Sequence, residues 1–207
     1  MTQGDTFGYH PWTVQQLVDD IGSGRIALPD LQRPFVWKKA KVRDLIDSMY
    51  RGFPVGELMF WEQTDSDRTK NIGTNEKTQS GSMQVIDGQQ RLTSLYATVT
   101  GRPVVRDDYL PETIAISFNP LTERFSVPDN GTRRSADWIN DIRDIFSSPI
   151  DARKKFFNDQ TAANGPDALT SEQESAVEVA LNRVDQMLKY EFQVVQLGKA
   201  VARETIA

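Results

Sequence analysis

The sequence predicts an α/β protein of the α+β kind, and three observations carry that expectation. Apolar residues recur at i, i+3, i+4 and i+7 in several segments, among them Val14, Leu17, Val18 and Ile21 and, later, Val177, Leu181, Val184 and Leu188. Short apolar runs bounded by glycine, proline or polar residues, such as 83–86 and 192–197, have the length of strands. The run that starts at Met83 also passes through Gly88 directly into a helical pattern.

With 207 residues, 38% hydrophobic and 26% charged, the chain can bury a real core, and at about 150 residues per domain it reads as a single domain over 1–207. It has no cysteine and one histidine, which excludes zinc modules, disulfide scaffolds and thiol catalysis. His10 alone cannot build a histidine-metal nuclease centre, and beside Pro11 and Trp12 it reads as a packed or surface residue. Catalysis therefore has to rest on carboxylates, amides and arginines. A formal charge of −5 gives no general attraction to a polyanion and leaves room only for a local basic patch. No signal-like leader and no run of about 18 apolar residues occurs, so a cytoplasmic protein is expected.

Thr13 is placed to cap the first helix, which Gly22 and Gly24 end. A strand over 25–28 follows. Pro29 and Pro34 then bracket Asp30, Leu31, Gln32 and Arg33, which are expected to be extended because a residue before proline is pushed out of the α region. A helix from about Lys38 to Arg51 buries Val42, Leu45, Ile46 and Met49 and stops at Gly52 and Pro54, with a strand over 55–61 after it. Residues 62–82 are polar and long for a connection, and read as a mobile loop. The helix after strand 83–86 carries Leu92, Leu95, Tyr96 and Val99 on one face and ends at Gly101 and Pro103. Residues 113–118 and 124–127 suggest a hairpin around Asn119-Pro120. The rest is mostly helical: a helix opening at Asp137 with Ile139, Ile142 and Phe146, one over 152–158 and a long one over 171–189. A strand over 192–197 and a helix-like start over 200–207 complete the chain.

The junction Val85-Ile86-Asp87-Gly88-Gln89-Gln90-Arg91 holds the chemistry. A strand that delivers a carboxylate, a glycine, two amides and a guanidinium to a helix N-terminus supplies the groups a polyphosphate site uses. Asp87 is suited to hold Mg²⁺ or orient a water, Arg91 to clamp a phosphoryl oxygen, and Gln89 and Gln90 to bind phosphate, sugar or base. An ordinary capping box, with Asp87 as N-cap and Gln90 three residues on, fits the same residues, and spacing does not decide between the two. Gln32 and Arg33 form a second polar cluster that either reaches the same anion or lies at the surface. Arg25, Lys38, Lys39 and Lys41 belong to a basic stretch, read either as a nucleic-acid backbone contact or as a solvated helix face.

The segments IALPDLQRPFVW, RGFPVGELMFW and above all VIDGQQRLTSLYA resemble the N-terminal domain of GmrSD-type, modification-dependent restriction enzymes. The resemblance implies a ParB/sulfiredoxin-like core with a small mixed sheet and added C-terminal helices. It implies nucleoside triphosphate hydrolysis with Mg²⁺ centred on Asp87, Gly88, Gln89, Gln90 and Arg91, with Gln32 and Arg33 lining the same cleft or a nearby DNA-sensing surface. It further implies modified or foreign DNA as a partner and a separate C-terminal nuclease domain, so the chain is expected to be a fragment of a longer protein. Two features depart from the family pattern: Leu31 stands where relatives often have an aromatic residue, and the Arg-Ile-Asn continuation is absent after Ala207. A non-enzymatic DNA-sensing module and direct DNA nicking are the alternatives to nucleotide hydrolysis.

Overall fold

The computed structural model describes residues 7–29, 34–62, 69–70, 77–78, 82–166 and 168–198. A seven-stranded mixed sheet forms its centre. The strands are β1 (Phe7–Thr13), β2 (Ile26–Pro29), β3 (Leu58–Glu62), β4 (Thr69–Lys70), β5 (Lys77–Thr78), β6 (Met83–Asp87) and, from the far end of the chain, β11 (Glu191–Leu197). Their order is β1-β11-β3-β6-β2-β4-β5. The β11/β3 and β6/β2 pairs are parallel; β1/β11 and β3/β6 are antiparallel. Two small hairpins lie outside this sheet, β7 (Val104–Val105) with β8 (Pro111–Glu112) and β9 (Ser117–Asn119) with β10 (Arg124–Ser126).

Three helices build the first half: α1 (Val14–Gly22), α2 (Lys39–Tyr50) and α3 (Gln89–Thr100). Thr13 caps α1 through a full capping box with Gln16, as its position predicts. The helix α3 packs against α1 and α2, and its Leu92, Leu95 and Tyr96 join Leu58, Phe60 and Val85 of the sheet and Leu17 and Ile21 of α1 in one core. The second half adds α4 (Asn130–Arg134), α5 (Arg143–Ser147), α6 (Pro149–Asn164) and α7 (Ser171–Gln186), the last continued by a 3-10 turn over Met187–Lys189. Ile145, Phe156, Val177, Leu181 and Val184 extend the core among α5, α6 and α7. The fold is thus α+β with a mixed sheet and C-terminal helices.

Several expectations need correction. The strand β1 was not anticipated, because Gly8 and Pro11 interrupt the alternation that marks a strand; it lies at the edge of the sheet, where a proline is tolerated. The helix expected to open at Asp137 is confined to Arg143–Ser147, since the N–H and C=O of Ile139 pair instead with Phe118 at 2.8 and 2.9 Å. The stretch 62–82 holds two short strands, with β4 pairing to β2 and β5 to β4, although most of it lies outside the described residues. The helix-like start over 200–207 also lies outside them.

Candidate functional site

The strand β6 ends at Asp87 and α3 begins at Gln89, so the whole turn between them is Gly88. Gly88 is the N-cap of α3 at φ +92°, ψ +9°, in the left-handed region that only glycine enters at low cost. Packing makes the same demand, because a Cβ here would collide with the Leu58 side chain of the neighbouring strand. The capping-box reading is therefore corrected. Asp87 lies one residue too early to be the N-cap, and a glycine N-cap brings no side-chain oxygen to the first-turn N–H groups. No acidic residue occupies that first turn either, so the positive end of the helix dipole meets no carboxylate from within the helix.

Asp87 and Arg91 face each other one turn apart. Arg91 Nη2 donates to Asp87 Oδ2 at 3.1 Å, and the Asp87 side chain is 72% exposed while that of Arg91 is only 16% exposed. The guanidinium is fixed from a second side, where Nη1 donates to the Val55 carbonyl at 2.8 Å. Gly56, at φ +87°, lets the irregular segment 53–57 approach this closely, because a Cβ there would strike the guanidinium. That segment is also anchored by the Tyr190 hydroxyl, which donates to the Phe53 carbonyl at 3.0 Å; burial raises the pKa of that phenol above its ordinary value. No local pattern marks Tyr190 as part of this site, and Gly56, the second glycine of RGFPVGELMFW, is the one sequence signal of a close approach.

Gln90 is committed to the backbone of another segment. Its Oε1 accepts from Val36 N–H at 2.9 Å and from Trp37 N–H at 3.3 Å, and its Nε2 donates to the Pro34 carbonyl at 3.1 Å. Beyond that segment Arg106 Nη1 donates to the Trp37 carbonyl at 3.0 Å and to Glu112 Oε2 at 2.9 Å. Gln89 occupies the first helical position and is partly buried. Gln32 and Arg33 lie outside the described residues. The described positions on either side of them, the end of β2 and Pro34, both lie towards the Asp87 end of the sheet, since β2 runs parallel to β6.

The four basic candidates do not form one patch. Arg25 precedes β2, whose Ile26 pairs with Met83 at the start of β6, so it sits roughly 16 Å along the strand from Asp87. It is paired with Asp20 at 3.3 Å and stacks on Trp12. Lys39 is paired with Glu112 at 3.3 Å. Lys38 and Lys41 are exposed at the start of α2, and among the described residues neither has an acidic partner within 4.0 Å; Lys41 lies over the Trp37 ring. His10 is exposed on β1.

Among the described residues no group of three or more His, Asp or Glu side chains is arranged to hold a metal. The donor set at the junction is a single exposed carboxylate, which suits an ion shared with substrate phosphates and water, as Mg²⁺ commonly is, rather than an all-protein cage. No described helix is long and apolar enough to cross a membrane. Over 117 residues the chain is 30% identical to an uncharacterized protein of Methanocaldococcus jannaschii; the match covers 52% of this chain, which spans only 20% of that relative. A family model described as GmrSD restriction endonuclease, N-terminal domain, matches residues 14–204. A match of that extent, falling across the β6–α3 junction and all the helices that surround it, shows that the chain belongs to the GmrSD N-terminal domain family.

Proposed function

We propose that this domain binds and hydrolyses nucleoside triphosphates with Mg²⁺ and thereby regulates a DNA restriction protein. One observation carries the reading: α3 starts on a glycine N-cap between an exposed carboxylate and a fixed guanidinium. A helix N-terminus without a carboxylate in its first turn favours an anion, and Gly88 removes the side chain that would keep a phosphate from the backbone. Arg91, held by Val55, presents a preorganised cation to a phosphoryl oxygen, and its pairing with Asp87 keeps that cation compensated until a phosphate arrives. Asp87 is the residue that would hold Mg²⁺, and the ion would supply charge neutralisation of the phosphate oxygens. Gln89, with Gln32 and Arg33, is assigned to nucleotide contacts, and modified or foreign DNA and a C-terminal nuclease domain are the partners this role requires.

Phosphate release by the protein at its native length tests the reading. Asp87→Ala is expected to lower Mg²⁺-dependent turnover of ATP or GTP by about a hundredfold or more, the scale on which a group engaged at the transition state acts. Turnover unchanged by that substitution would sink the proposal.

A further inference from the structure

We propose that Gln90 is a positioning residue, serving the phosphate end of α3 by locking the Pro34–Trp37 segment against it and not by touching the nucleotide; the inference rests on the triphosphate reading above. The three bonds of its amide all go to the backbone of that one segment: two N–H groups donate to Oε1 and one carbonyl accepts from Nε2. Two donors and one acceptor fix the orientation of the amide, since turning it over would set N–H against N–H and oxygen against oxygen. Swinging the side chain out to a ligand would strand the N–H groups of Val36 and Trp37 without their acceptor.

The segment is gripped from its other side as well. Arg106 donates to the Trp37 carbonyl while its guanidinium lies 6.0 Å from the ring of Phe35, a residue only 3% exposed that bridges to Arg106 in the sheet sense. Glu112 holds Arg106 in place and also pairs with Lys39 at the start of α2. Gln90 and Arg106 are thus the two jaws of one clamp, and they act on the nucleotide through the same element.

Amide exchange and calorimetry on the native-length protein decide this, using Gln90→Ala, Arg106→Met and the double variant, with Glu112→Gln as a milder way to loosen Arg106. Without nucleotide, exchange at the Val36 and Trp37 amides should quicken by about tenfold or more in Gln90→Ala, as expected for lost hydrogen bonds, while Leu95 in mid-helix keeps its rate. Titrated with ATP and Mg²⁺, each single variant should bind about tenfold more weakly and the double variant hardly more weakly than either, because contributions through one shared element do not add. Unchanged exchange together with weaker binding would make Gln90 a direct ligand and overturn the proposal, as would losses that multiply to about a hundredfold in the double variant. A wild-type protein that binds no triphosphate removes the nucleotide role together with the functional reading, and exchange then reports separately whether Gln90 holds the segment.

Discussion

Gly88 shows how one residue can decide what a motif means. Its φ of +92° makes it the N-cap, which moves Asp87 out of the capping position and leaves that carboxylate 72% exposed and available to a ligand. Gly88→Ala meets two penalties together, the left-handed backbone and a clash with Leu58 inside the core. Together they are expected to cost about 2–4 kcal/mol, read as a lower urea midpoint at unchanged slope. A loss below about 1 kcal/mol would mean that the backbone relaxes easily and that the glycine is not required for the fold. The residue types at this junction were legible because carboxylate, glycine, amides and guanidinium adjoin in sequence. The division of labour among them was not, since Asp87-x-x-Gln90 satisfies the capping pattern on paper and only the backbone angle of Gly88 excludes it. The bonds of Gln90 and Arg91 run to Pro34, Val36 and Val55, 36 to 56 positions away, which no local pattern encodes.

Among the elements, α1 and α3 make a controlled contrast. Both follow a strand directly, yet α1 closes its first turn with a Thr13–Gln16 capping box whereas α3 brings no cap side chain to its own. Thr13→Ala should cost about 1 kcal/mol, a loss measurable by denaturant titration and accompanied by faster amide exchange in the first turn of α1. An unaffected midpoint would show that β1 and the Val14 N–H bond to Tyr190, at 3.0 Å, hold the helix start without the cap. The helices α1, α2 and α7 are legible in the sequence because each buries one stripe of regularly spaced apolar residues, whereas α3 has the same apolar spacing but is buried on all sides over 92–98. Elements fixed by distant partners could not: β1 exists because β11 pairs with it, and Ile139 is extended because Phe118 takes both of its backbone groups. The short helix α4 does carry a local signal, the Asp129 and Thr132 capping box, but an Asn130-Gly131 pair that reads as a turn masks it.

For the whole molecule, the parallel run of β2 and β6 brings the C-terminal ends of both strands towards the start of α3, and the bonds from Gln90 bring the segment that leads into α2 to the same side. Lys38 and Lys41 therefore stand near the proposed phosphate site, whereas Arg25 stands at the opposite end of β6. In a chain of net charge −5, any affinity for DNA has to come from such a local concentration of uncompensated cations and not from the surface as a whole. Each phosphate neutralised contributes about 0.9 to the slope of log affinity against log salt, so Lys38→Gln with Lys41→Gln should lower the slope on duplex DNA by about two. Arg25→Gln should leave it unchanged, because that guanidinium already has Asp20 as partner and lies away from the site. Lys39→Gln should change it less than either neighbour does, its charge being shared with Glu112. If the double variant keeps the full slope, DNA does not contact the start of α2, and the clamp on Pro34–Trp37 cannot be the route by which nucleotide and DNA sense each other. If the slope falls as expected, DNA reaches the far end of the segment that Gln90 ties to the proposed nucleotide site, and any effect of one ligand on the affinity for the other has to be returned by the same factor.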